Sequence, residues 1–207
     1  MTVAGRVLAV GSSIRRAMPT LKSHADARAR LLQVLRDEAL VIGEVVLTSG
    51  ATAQYLVDAK RAILLREGFL ALSELVAAQA AEWGATAVGG MTMGADPIAC
   101  AALAGGADVK AFFVRKEAKT HGLSRRIEGP VLSAGDRCML VEDVITTGGS
   151  TIRALEAVRA EGLEVVGVLG ICDRLAGGAD AIREAAQAPF VALTTIDEVY
   201  PERPDRG

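Results

Sequence analysis

Aromatic residues are scarce in this chain: Phe, Tyr and Trp make up 3% of 207 residues, with a single Trp. A core must therefore rest on Ala, Val, Leu and Ile, and a hydrophobic content of 51% supplies enough of them. Cysteine is also rare. Cys100, Cys138 and Cys172 all lie in apolar stretches, and their spacing suits neither a metal site nor a disulfide framework. They read as small buried hydrophobes in a reducing cytoplasm. Positive charge is not in excess: 23 Lys+Arg against 25 Asp+Glu give a net charge of −2, which argues against general nucleic-acid binding by charge alone. No apolar run approaches the ~20 residues that a membrane helix needs. The apolar stretch at residues 7–10 is far too short to span, and it lacks a basic leader and a small-residue cleavage site, so it is not read as a signal peptide. Residues 1–22 read as a flexible extension, with Met18 a second candidate start. Two common phosphate motifs are missing as well. No Gly-Lys-Ser/Thr follows a glycine loop, and no Gly-x-Gly-x-x-Gly opens a helix at the segment described next.

That segment runs from Met139 to Thr151 and reads Met-Leu-Val-Glu-Asp-Val-Ile-Thr-Thr-Gly-Gly-Ser-Thr. An apolar run ends in two acids, then come small hydroxyl residues and glycines, and a helical pattern begins near Ile152. Backbone N–H groups of Thr147, Gly148, Gly149 and Ser150 can point at a phosphate, and a helix N-terminus favours negative charge there. Glycine permits close approach of backbone to ligand. Glu142 and Asp143 fall near the carboxyl end of a strand, where open α/β sheets bind ligands. They can accept hydrogen bonds from sugar hydroxyls or help to hold hydrated Mg²⁺. The plainer reading is a strand, a turn and a helix capped by Ser150 or Thr151.

The segment resembles the phosphoribosyl pyrophosphate (PRPP) signature of type I phosphoribosyltransferases. A second stretch, Phe112-Phe113-Val114-Arg115-Lys116-Glu117-Ala118-Lys119-Thr120-His121-Gly122, is similar to the catalytic loop of the orotate phosphoribosyltransferase family. Leu47-Thr48-Ser49-Gly50 and Tyr55-Leu56-Val57-Asp58 resemble that family's N-terminal substrate region, Gly89 to Pro97 its pyrophosphate loop, and Ile171-Cys172-Asp173-Arg174 its late strand end. The chain departs from the family at Thr48, where many relatives carry Lys, and at Leu56 and Val57, where they carry aromatics. Lys60 and Arg61 stand nearby as replacements.

The resemblance implies a type I phosphoribosyltransferase fold over residues 23–207, a central mainly parallel sheet flanked by helices with a small N-terminal hood. It implies Mg²⁺-dependent transfer of ribose 5-phosphate from PRPP to orotate, giving orotidine 5-monophosphate and pyrophosphate. Lys119, His121 and Asp143 would be catalytic. PRPP would be held by Arg115, Lys116, Lys119 and His121, by Thr92, Met93 and Gly94, and by the signature from Glu142, Asp143, Val144 and Ile145 through Thr146, Thr147, Gly148, Gly149 and Ser150. Orotate would meet Thr146, Arg174 and Tyr55. Mg²⁺ would be bound mainly through PRPP and water, near Glu142 and Asp143. A homodimer with shared active sites is implied, with no nucleic acid or membrane as partner.

Each assignment has a structural counterpart. The basic loop can be solvated and paired with Glu117 and Glu128, the glycines at 89–94 can form an ordinary turn, Arg174 can pair with Asp173 or Asp180, and Tyr55 can be core. Two other functions use the same cradle: phosphoribosyl transfer to another nucleobase, and a PRPP-sensing regulator without turnover.

The rest of the chain alternates helix and strand. Helices are expected over residues 25–40, 70–82, 97–105, 152–160 and 180–186. Strands are expected near 45–47, 54–58, 85–89, 110–114, 138–141, 165–171 and 190–193. Alternation predicts a parallel sheet with right-handed crossovers. The polar stretch between Arg115 and Gly135 has no sustained period and is expected to be a long functional loop.

Overall fold

The computed structural model describes residues 21–46, 52–117 and 126–206. The chain opens with α1 (Leu21–Glu38), which buries Ala27, Leu31, Val34 and Leu35 along one face. Next come β1 (Leu40–Val46) and β2 (Thr52–Val57), paired antiparallel as a separate two-stranded ribbon. The short helix α2 (Lys60–Ile63) leads into α3 (Arg66–Glu82). Then follow β3 (Ala87–Met91), α4 (Asp96–Ala104), β4 (Lys110–Val114), β5 (Ile127–Glu128), β6 (Arg137–Ile145), α5 (Gly149–Ala160), β7 (Glu164–Asp173), α6 (Gly178–Ala186), β8 (Phe190–Thr195) and α7 (Ile196–Val199).

The six-stranded sheet has the order β5-β4-β3-β6-β7-β8, and all its pairs are parallel except β4 with β5. Alternate strand residues feed two cores. Val88, Met139 and Val141 join the core that includes residues of α1, α3 and α4. Ala87, Phe112, Cys138 and Leu140 join the one that includes residues of α5 and α6. With few aromatics available, the largest fully buried side chains are mostly Leu and Ile, with Phe112 the one aromatic among them.

The differences from expectation have local causes. The first helix stops at Glu38 because Leu40 pairs with Val57 and opens β1. β6 continues past Val141 because Glu142, Val144 and Ile145 still have partners on β7. The polar stretch after Arg115 is not wholly loop: Val114 pairs with Ile127 and Phe113 with Glu128, closing a hairpin stem. Cys138 and Cys172 are buried, and burial pushes each thiol up to about 12, but Cys100 is exposed.

Candidate active site

The strand order places a crevice between β3 and β6. β3 connects onward to β4 on one side, whereas β6 leads to β7 and β8 on the other. Ligands of open α/β sheets bind at such a reversal, beyond the carboxyl ends of the strands. Here those ends carry the turn after Met91 and the loop after Ile145.

The loop after β6 forms a small cup. A pocket of about 130 Å³ is lined by Glu142 and by the run from Val144 to Thr151. The residue that caps α5 is Gly148, at φ +79° and without a capping side-chain bond. A Cβ there would lie 2.9 Å from Ile182 Cγ1 and 3.0 Å from the Gly178 carbonyl oxygen, so the close seat on α6 also demands glycine. Ser150 and Thr151 lie inside the helix rather than at its cap. Thr151 donates its hydroxyl to Glu142 Oε2 at 3.0 Å. The first amides of α5 therefore face the cup with no side chain of their own helix to satisfy them.

Glu142 and Asp143 are both buried. Burial, and then the neighbouring Asp143 charge, push the Glu142 carboxyl well above the usual range. Asp143 accepts the Val144 N–H at 2.9 Å and Lys60 Nζ at 3.2 Å. Lys60 also pairs with Asp58 at 2.7 Å. Burial works to lower the Lys60 pKa, but the bonds to Asp58 and Asp143 outweigh it and raise it.

From the other side of the crevice the turn after β3 presses on Asp143. A Cβ on Gly94 would stand 2.3 Å from Asp143 Oδ1. Met93 is 71% exposed at the tip, and the Thr92–Met93 peptide is cis. Pro97 lies in the first turn of α4. Arg115 and Lys116 leave β4 close by. The Arg115 N–H donates to the Arg126 carbonyl at 2.8 Å, and its guanidinium pairs with Glu128 at 3.4 Å.

At the end of β7, Arg174 lies over Tyr55 from the ribbon, 4.9 Å from the ring centroid. Tyr55 is 2% exposed and also meets Tyr200 edge-on at 5.3 Å. Its ring is thus occupied by Arg174 and Tyr200 rather than open to a stacking base. Arg174 Nη2 stands 4.0 Å from Asp205 Oδ2. The partners considered from the sequence are engaged elsewhere: Asp173 accepts the Leu175 N–H, and Asp180 pairs with Arg183.

Residues 72–186 match the model of the phosphoribosyl transferase domain family. The orotate phosphoribosyltransferase of Corynebacterium glutamicum is 45% identical over 177 residues, covering 85% of this chain and 95% of that enzyme. That of Streptomyces avermitilis is 47% identical over 178 residues, covering 84% and 97%. The chain belongs to the orotate phosphoribosyltransferase family. It is an α/β pentosyltransferase of that family. Among solved structures, orotate phosphoribosyltransferase of Mycobacterium tuberculosis in complex with PRPP superposes with a TM-score of 0.71 at 36% identity, covering 84% of this chain and 98% of that one.

In this member of the orotate phosphoribosyltransferase family, the signature residues from Glu142 to Ser150 and the turn of Thr92, Met93 and Gly94 come together across the switch point. Lys119 and His121, like Thr48, lie outside the described residues. From the sequence Lys60 reads only as a nearby cation. Its contact with Asp143 spans 83 positions, and no local pattern announces it. Asp205 and Tyr200 were missed altogether, since nothing in their neighbourhood resembles a motif. Among the described residues, no helix is long and apolar enough to cross a membrane.

Proposed function

We propose that this protein transfers ribose 5-phosphate from PRPP to orotate, as its family does. The observation that carries the reading is the cup of uncapped α5 amides beside Glu142 and Asp143, closed from across the crevice by Gly94. The 5-phosphate sits against Thr146, Thr147, Gly148, Gly149 and Ser150 at the helix N-terminus. The ribose hydroxyls donate to Glu142 and Asp143. The pyrophosphate lies at Thr92, Met93 and Gly94, and its cations come from Arg115 and Lys116 and, further along the same segment of the sequence, Lys119 and His121. In the family that segment closes over the neighbouring subunit's site, so a homodimer with shared sites belongs to the proposal, as does a cytoplasmic location.

The reaction breaks the C1–oxygen bond to pyrophosphate and forms a bond from C1 to orotate N1, which gives up its proton. Positive charge grows on the ribose as the bond weakens. Asp143 stabilises it, while the loop cations and backbone amides receive the departing charge. Closure of the loop excludes water and strengthens each contact. Arg174 presents a planar fork to the orotate carboxylate or a ring carbonyl, and Thr146 lies between base and phosphate.

Among the described residues no group of three or more His, Cys, Asp or Glu side chains could hold a metal ion. Glu142 and Asp143 alone suit Mg²⁺ carried in by PRPP with its own oxygens and water, the usual habit of this ion. When bound, it would offset pyrophosphate charge.

The deciding experiment is loss of orotate absorbance with PRPP and Mg²⁺ present. Orotate-dependent turnover is expected. Turnover with adenine or guanine instead would overturn the base assignment, and PRPP binding without turnover on any base would favour a regulator.

A further inference from the structure

Arg174 has unusual surroundings for a substrate-binding arginine. Its side chain is 15% exposed, and its Nε is buried with no hydrogen-bond partner among the described residues. The flat guanidinium rests on Tyr55. The Tyr55 hydroxyl in turn donates to both carboxylate oxygens of Asp205, at 3.0 and 3.1 Å. Arg203 Nη1 reaches the same carboxylate at 2.9 Å and is itself tied through Nε to Asp197 at 2.9 Å. Burial works to raise the Asp205 pKa, but the bonds from Arg203 and Tyr55 prevail and hold it low, so the group is a carboxylate at neutral pH.

The spacing around Arg174 is informative. At 4.0 Å, Asp205 is close enough to offset its charge and too far to accept a hydrogen bond from it. The ring beneath and the charge beside it limit how the side chain can turn, yet they leave its planar donor edge unspent. A fork held this way loses less freedom when it binds a planar carboxylate.

We infer that Tyr55 and Asp205 are positioning residues for the orotate side of the site: Tyr55 supports the Arg174 guanidinium, and the bond from Tyr55 to Asp205, braced by Arg203, fixes its orientation. The inference rests on the proposal that Arg174 binds orotate. It replaces base stacking as the contribution of Tyr55. It also gives residues 201–206, which follow the last helix, a part in substrate recognition.

The test is steady-state kinetics of the full chain, varying orotate and PRPP separately, for Tyr55→Phe, Asp205→Asn, Asp205→Glu and Arg174→Ala. Tyr55→Phe keeps the ring and removes only the hydroxyl, so it isolates the latch even if an Asp205 variant fails to fold. Tyr55→Phe and Asp205→Asn should raise the orotate KM about 3- to 10-fold, the range for one lost hydrogen bond. The PRPP KM and kcat should stay nearly unchanged, and Asp205→Glu should recover part of the loss. If Arg174→Ala leaves the orotate KM unchanged, the base-site proposal itself fails. If Arg174→Ala raises it but Tyr55→Phe and Asp205→Asn do not, only the positioning role is overturned. A fall in orotate KM for Asp205→Asn would mean that this carboxylate competes with orotate, and equal rises in both KM values with a lower Tm would mean a merely structural role. Either result overturns the inference.

Discussion

Asp136 and Asp143 stand at opposite ends of β6, and the protein treats the two ends in opposite ways. Before the strand begins, Asp136 collects Lys110 Nζ at 2.8 Å, the Ser133 N–H at 2.7 Å and the Thr86 hydroxyl at 3.0 Å. Thr86 precedes β3 and Lys110 opens β4, so one carboxylate ties three strand starts together. Those donors, Lys110 foremost, hold its carboxyl at about 2. At the far end Glu142 is pushed up by burial and by Asp143, and Asp96 Oδ1 and Arg174 Nε are buried without hydrogen-bond partners among the described residues. Native proteins rarely leave such groups unmatched, and those that do usually have a reason. The clamp end is satisfied by the protein itself, and the crevice end is built to be completed by a ligand.

Replacing Asp143 should break this contrast most visibly. Asp143→Asn is expected to lower kcat/KM by about 100-fold or more, the scale for one electrostatic contact to a developing charge. Its Tm should barely move, because the pair with Lys60 is partly solvated. Kinetics and thermal unfolding on the same preparation check both halves. A large Tm loss with activity per folded molecule intact would make Asp143 a structural residue like Asp136.

Gly94→Ala attacks the same carboxylate without touching its charge. The added methyl would need to occupy space 2.3 Å from Asp143 Oδ1 and 2.6 Å from its Cγ, so the acid or the turn must shift. A displacement of that order is expected to cost about 10- to 100-fold in turnover. Wild-type turnover in this variant would show that the turn does not set the position of Asp143.

At the clamp end the expected signature reverses. Asp136→Asn removes the carboxylate that pairs with Lys110 and should cost about 2 kcal/mol, the scale of a charged hydrogen-bond cluster. For a chain of this size that is a Tm drop of about 4–8 °C. Activity measured well below the new Tm should be unchanged, and a drop in kcat there would erase the distinction between the two ends.

The two ends also differ in how far the sequence reveals them. The cup was legible because its parts are contiguous: acids, hydroxyls, glycines and helix start follow one another within β6 and α5. The alternation of β3, α4 and β4 and of β6, α5 and β7 was legible from apolar period alone. Asp136 carries no local signal, since its partners come from three separated segments. The orotate side was harder still, because Tyr55 and Asp205 are 150 positions apart and meet only through the fold. One miss was avoidable. Thr195-Ile196-Asp197-Glu198 carries the spacing of a capping box, and Glu198 indeed accepts the Thr195 N–H at 2.9 Å, opening α7.

The smallest effect, and the one that sharpens the contrast most, lies in the pH dependence of stability. Asp136 has a folded pKa of about 2 against an ordinary 3.8, so its contribution is present above about pH 4 and is lost as pH falls toward 2. Glu142 is shifted the other way. Its folded pKa is raised above the ordinary 4.5, so the folded state prefers the proton, and stability declines as pH rises above 4.5 toward that folded value. Gln at 142 copies the neutral carboxyl and keeps an acceptor for Thr151. Urea midpoints measured across pH should therefore coincide for wild type and Glu142→Gln below pH 4.5 and diverge above it, with the variant the more stable. Asp136→Asn should instead flatten only the acid limb. Parallel wild-type and Glu142→Gln curves above pH 4.5 would mean that the crevice does not hold a carboxyl against its charge, and the opposition between the two ends of β6 would lose its electrostatic basis.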